Sequence, residues 1–245
     1  MMDTKRTITV AICGVQPRSG TTTQALQIVS YLQMMGYEAA YIELANQGYI
    51  EQMRKLYKDV SVDRKCVEYE RISMYCSIVD VNEEEPYDFL VKDYGAMDQE
   101  GFNQISFLDQ DIQIICGGVK PNEIFAVNEV LKKPEYFPAK IIFSFTPPDQ
   151  KEGITSLMTK RAGNTFFANY NPDPFSFDST MNKSYRIIMG NYMSGTAAYT
   201  MRKSSVKKRI MILGKNYLKI IQESKICKCI GVLAYTVLLY FFFHK

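Results

Sequence analysis

The residues best placed to do chemistry lie between an apolar run and a helical stretch: Gln16-Pro17-Arg18-Ser19-Gly20-Thr21-Thr22-Thr23. Thr7 to Val15 reads as a buried strand and Thr21 to Met35 as a helix. A strand, a glycine-containing turn and a helix that opens on hydroxyl residues aim several backbone N–H groups at one point. Such an arrangement holds phosphate at a helix N-terminus. The strict motif places Lys directly after the glycine, and here Thr21 stands there. A plain strand-to-helix turn of a doubly wound fold fits the same residues, and the dinucleotide glycine pattern is absent.

Two further segments raise the odds of a site. The second strand ends in Glu43-Leu44-Ala45-Asn46-Gln47-Gly48 and the third in Asp93-Tyr94-Gly95. In a parallel sheet both would lie at the carboxyl edge with the first turn, where ligands of such folds bind.

The elements that would position them alternate along the chain. Gly36 closes the first helix, whose Ala25, Val29, Leu32 and Met35 keep the spacing of one buried stripe. Tyr37 to Leu44 reads as a strand and Tyr49 to Tyr57 as a helix. Lys65 to Val81 is strand-like but ambiguous, and Asn82 to Glu85 is an acidic loop. Tyr87 to Asp93 is a strand stopped by Tyr94-Gly95. Asp111 to Cys116, Ala139 to Phe145 and Thr165 to Tyr170 read as strands. Helices fall over about 122–132 and 150–161. Strands separated by helices predict an α/β fold with a mainly parallel, doubly wound sheet.

At these residues the chain resembles the MinD/ParA superfamily of deviant P-loop ATPases, over roughly residues 7–175. The family loop K-G-G-x-G-K-T-T aligns with Gln16 to Thr23. Its second-strand end D-x-D-P-Q-G aligns with ELANQG, which puts Glu43 and Ala45 at the two acidic positions and keeps Gln47 and Gly48. The Asp and Gly that end its third strand match Asp93 and Gly95. The Arg and GTT in the loop look most like the branch that includes pilus-assembly localisation proteins.

The resemblance implies ATP or ADP with Mg²⁺ as ligand. Gln16, Pro17, Arg18, Ser19, Gly20, Thr21, Thr22, Thr23, Glu43, Asp93 and Gly95 would form the nucleotide-contact set. Thr22 and Asp93 would be the metal pair, Asp93 through a metal-bound water. It also implies a homodimer through the loop. Gln16 and Thr21 replace the family's two loop lysines, and Ala45 replaces the acid that positions the attacking water. Two cations lost within about 4 Å of phosphate oxygens forfeit roughly 4 kcal/mol each at an effective dielectric near 20. Phosphoryl transfer rests on such electrostatics, so turnover is expected to be very low or zero. Arg18 could act as a bidentate phosphate clamp. The rival is a slow ATPase in which Arg18 and Glu43 restore the missing functions.

Composition sets the rest. The 245 residues are 47% hydrophobic and 22% charged, as in a globular chain long enough for one α/β domain and an appendage. Residues 202–245 hold ten basic residues against Glu223, a net +9, while residues 1–201 carry −6. An acidic body argues against a nucleic-acid surface. The six cysteines show no CxxC pair and the single histidine is His244, so neither a disulfide framework nor a zinc site is expected. The N-terminus runs straight into a strand without a secretory signal, which predicts a cytoplasmic body.

Ile226 to Phe243 is apolar except for Lys228. Eighteen helical residues span about 27 Å, close to the roughly 30 Å of bilayer hydrocarbon. The basic flank from Arg202 to Lys228 predicts the cytoplasmic side. Domains are therefore expected at 1–201 (phosphate-loop body), 202–225 (basic linker or amphipathic helix) and 226–243 (single-pass transmembrane tail anchor in the cell membrane). A DNA-binding arm is the competing reading of the basic stretch. The whole predicts a membrane-bound scaffold, nucleotide-binding or nucleotide-independent, that positions or recruits protein partners in a pilus, secretion or division complex.

Overall fold

The computed structural model describes residues 6–45, 47–81 and 87–193. The unbroken apolar run ITVAICG forms β1 (Ile8–Gly14), from Val10 onward buried on both faces at the centre of the sheet. Gly20 leads into α1 (Thr21–Met34), and Gly36, at φ +92°, turns the chain into β2 (Ala39–Glu43). There follow α2 (Tyr49–Leu56), β3 (Ser61–Asp63), β4 (Cys66–Tyr69), β5 (Ile72–Tyr75), β6 (Phe89–Ala96), α3 (Gln104–Leu108) and β7 (Ile112–Gly117). The described chain ends with α4 (Pro121–Leu131), β8 (Lys140–Ser144), α5 (Lys151–Leu157), β9 (Thr165–Ala168) and α6 (Asn182–Met189).

The nine strands form one sheet in the order β3-β4-β5-β2-β6-β1-β7-β8-β9. Every pairing from β5 to β9 is parallel, and β3 and β4 add an antiparallel margin. The register sets Ile12 opposite Asp93 and Asp93 opposite Glu43, so the ends of β1, β6 and β2 share one edge. Strand order reverses at β1, with β6 on one side and β7 on the other, which opens a crevice at that carboxyl edge. On one face Ala11, Cys13, Ile115 and Phe143 pack with Phe107 of α3, Val127 of α4 and Ile154 of α5.

α1 is buried nearly all round, because α6 and the segment 174–178 lie on it. Gln27 donates to the carbonyls of Pro174 and Ser176, each at 2.8 Å, and accepts from the Asp178 amide at 2.8 Å. Tyr185 of α6 donates to Gln24 at 2.8 Å and sets its ring 5.5 Å from Tyr31.

The mainly parallel α/β architecture matches the sequence expectation, and several details differ. Met35 is 36% exposed and lies past the helix, so the buried stripe ends at Leu32. Tyr94-Gly95 does not stop β6. The strand carries an extra residue there, and Gly95, at φ +69°, absorbs it as a bulge. The ambiguous stretch 65–81 is the hairpin β4–β5 and a 3-10 turn. The helix expected over 150–161 breaks after Leu157 into a 3-10 turn. The acidic loop at 82–85, the linker 202–225 and the span 226–243 lie outside the described residues. No described helix is long and apolar enough to cross a membrane.

Candidate functional site

The turn from β1 to α1 is wound tightly. A Cβ on Gly14 would lie 2.8 Å from Thr21 Oγ1 and 2.9 Å from the Gln16 carbonyl, so only a bare backbone fits under the turn. Ser19 is buried and its hydroxyl donates to the Gln16 carbonyl at 2.7 Å, closing the turn on itself. Pro17 and Arg18 project at the exposed crest, with Arg18 at φ +65°. Gly20, at φ +83°, starts α1. No side chain caps that helix and its first turn holds no acid. The N–H groups of the first turn therefore keep their positive end for an outside acceptor.

Thr21 is buried against Gly14, and Thr23 is half-buried. Thr22 reaches β6: its hydroxyl donates to Asp93 Oδ2 at 2.6 Å. Asp93 is 2% exposed and accepts two further bonds, from Tyr41 OH at 3.0 Å and from the Gly95 amide at 2.9 Å. Burial pushes the Asp93 carboxyl up, and the bonds from Thr22, Gly95 and Tyr41 offset part of that rise. Asp93 thus takes the proton of the Thr22 hydroxyl and leaves that oxygen's lone pair free, with Asp93 itself in reach of a metal only through water. That suits a magnesium ion whose remaining ligands are phosphate and water.

Glu43 is neither exposed nor aimed at the turn. It is 6% exposed, and its two oxygens accept from the amides of Tyr49 at 2.7 Å and Ile50 at 3.0 Å. Both bonds fall at the start of α2, whose N-cap Gly48 has no side chain to offer, so Glu43 caps that helix from the preceding strand. Gly95 packs under the same connection, where a Cβ would lie 2.8 Å from Ala45 Cβ and 3.2 Å from Gln47 Nε2. The structure therefore joins Gln16, Ser19, Thr21, Thr22 and Asp93 into one constellation around the first turn of α1. It leaves Pro17 and Arg18 on the crest and gives Glu43 and Gly95 to the neighbouring connection.

Sequence reading missed two neighbours. Tyr41 precedes Glu43 by two strand positions, so the period of a strand puts both on one face, and that signal was available. The other is the end of β8. A Cβ on Gly20 would lie 2.6 Å from Ser144 Oγ and 3.7 Å from Phe145 Cζ. No spacing rule links residues 20 and 144; the sheet order does.

Solved structures share this architecture. The MinD cell division protein of Aquifex aeolicus superposes with a TM-score of 0.57 at 15% identity, covering 75% of this chain and 97% of that one. The MinC:MinD cell division protein complex from the same organism gives 0.54 at 16%, covering 75% and 96%. A plasmid partition protein of Borrelia burgdorferi, bound to AMPPNP, gives 0.54 at 14%, covering 76% and 98%. The body has a MinD/ParA-like α/β fold. No family model matches the sequence, and no curated protein does.

Proposed function

We propose that this chain is a membrane-tethered protein of MinD/ParA-like fold that holds a nucleotide weakly and turns it over slowly or not at all. In this reading it serves as a scaffold that positions a membrane-associated complex such as a pilus, secretion or division machine. One observation carries the nucleotide part: α1 opens with uncapped amides beside the Thr22–Asp93 pair, while Thr21 stands where the strict motif has a lysine. Amides and the Asp93-linked hydroxyl remain for ATP or ADP with Mg²⁺; the cations that drive transfer do not. The AMPPNP held by the Borrelia burgdorferi structure is in keeping with a ligand of that class. The loop arginine supports a place near the pilus-localisation branch, and the shared fold supports a homodimer through the loop. Tethering rests on the apolar stretch 226–243 and its basic flank.

A slow ATPase that uses Glu43 would have to free a carboxylate whose two oxygens both hold the start of α2. Arg18, exposed on the crest, is the cation such an enzyme would need.

Full-length protein in detergent micelles, titrated with ATP and ADP in the presence of Mg²⁺, should bind with dissociation constants of about 10 μM to 1 mM. It should show no turnover that depends on Arg18. Steady hydrolysis abolished by Arg18→Ala would overturn the scaffold reading in favour of the enzyme. Deleting residues 226–245 should move the protein from the membrane fraction to the soluble one. Persistence in the carbonate-washed membrane would refute the tether.

A further inference from the structure

Because β5, β2, β6, β1, β7, β8 and β9 all run one way, the helices that join them return the chain to the amino edge of the sheet, opposite the first turn of α1. Large apolar residues stand exposed where those connections arrive. α1 ends in Met34 with Met35 as its cap, and α2 and α5 end in Leu56 and Leu157, 75% and 56% exposed. Ile105 of α3 is 83% exposed, and Phe137, in the turn between α4 and β8, is 63% exposed. α1 and α5 carry no basic residue in the last turn, although a cation is favoured there. Single apolar side chains dot most surfaces, but a set gathered along one edge marks a contact face.

The ring of Phe137 is held in place. Arg161 is 8% exposed, sets its guanidinium carbon 4.6 Å from the centroid of that ring, and donates to the carbonyls of Tyr136 and Phe137. Gln104 donates to Glu135 at 3.2 Å, which ties the start of α3, and with it Ile105, to the same turn. The described chain also leaves at this edge: the Tyr192 hydroxyl donates at 3.0 Å to the carbonyl of Asp111, the residue before β7. The sequence beyond holds a basic flank and the apolar stretch 226–243.

We propose that this edge rests on a lipid bilayer, with Ile105 and Phe137 seated among the headgroups, so that the body stands on the membrane and presents the first turn of α1 to the aqueous side. The contact rests on the tether reading given above and adds which face meets the lipid. A tether sets the effective concentration of the body at the surface on the order of millimolar, so a contact too weak to recruit a free protein is populated once the chain is anchored. Nearby charges such as Lys132 and Arg6 are paired with Glu129 and Asp111, which leaves the apolar side chains to make the contact.

The protein contains no tryptophan, so a single introduced one reports alone. Full-length Phe137→Trp, Ile105→Trp and Tyr170→Trp are each reconstituted into phosphatidylcholine vesicles, with and without bromine on the acyl chains near the headgroup, and recovered by flotation. Tyr170 follows β9 at the opposite edge and is 71% exposed. A ring about 5–10 Å into the headgroup region meets the bromines, so Phe137→Trp and Ile105→Trp should each lose roughly half of their emission. Tyr170→Trp should keep its own. The open position of Ile105 keeps the test decisive if the Phe137 variant fails to fold. Equal emission with and without bromine at both positions in floated vesicles, or equal quenching of Tyr170→Trp, overturns the proposal and leaves the tether standing. Blue-shifted emission without quenching also overturns it, assigning the edge to a second copy or another protein. Failure of the protein to float overturns both.

Discussion

Asp93 holds its carboxylate where water scarcely reaches, and its protonation follows from that. Its folded value lies above the ordinary 3.8, because burial outweighs three hydrogen bonds. The folded state therefore keeps the proton longer than the unfolded chain does. Its contribution to stability is greatest below 3.8 and falls as pH rises from there to the raised folded value. Asp93→Asn removes this term. In urea unfolding at steps from about pH 3 to pH 7, the stability difference should move in favour of the variant as pH rises. A difference that stays constant with pH would assign the slope to other groups. A second residue to test is Gln27, one side chain that satisfies three backbone groups of the segment 174–178. Gln27→Leu should cost about 2–4 kcal/mol in denaturant unfolding, since two carbonyls and an amide lose their partner. Thr22 and Asp93 were legible in the sequence because motif order places them at strand and helix ends. The roles of Glu43 and Gln27 were not. Both depend on which backbone amides and carbonyls the fold brings alongside.

Among the elements, the antiparallel margin β3–β5 is held by an aromatic cluster. Phe175, 8% exposed, sits between Tyr57 after α2 and Tyr69 of β4, with ring centroids 5.9 and 4.8 Å away. Tyr57 and Tyr69 themselves lie 4.7 Å apart. Phe175→Ala should destabilise the protein by about 3–5 kcal/mol. Hydrogen exchange should show β4 and β5 losing protection before β1 and β7, because the cluster secures only the margin. Strands of three and four residues carry too few positions for an alternating pattern to declare itself, which is why 65–81 stayed ambiguous in sequence. Helix α6 went unread for a similar reason: its eight residues make barely two turns, too few for a helical stripe to stand out. The long buried strands β1 and β6 and the capped run of α4 were plain, since their apolar character extends over many residues.

For the whole molecule, the sheet order is what turns separate segments into one edge. β2, β6, β1, β7, β8 and β9 deliver their carboxyl ends to the same side, so segments far apart in the chain meet along one edge with the first turn of α1. Binding there should raise the stability of the body as a unit. Nucleotide at ten times its dissociation constant should add about 1.4 kcal/mol to unfolding, read from denaturant midpoints with and without ligand. A ligand that shifts no midpoint at that occupancy would also bind the unfolded chain, and so would not be using the assembled edge.

The contact between α1 and α6 carries a mechanical consequence. The amide of Gln24 donates to the Gly20 carbonyl at 2.9 Å, and its side chain accepts the Tyr185 hydroxyl at 2.8 Å. Two bonds thus separate the turn from α6. A shift of α6 is delivered through Tyr185 to the residue that closes the first turn of α1. Replacing Tyr185 would therefore be felt at the first turn of α1 even though the two lie far apart in the chain.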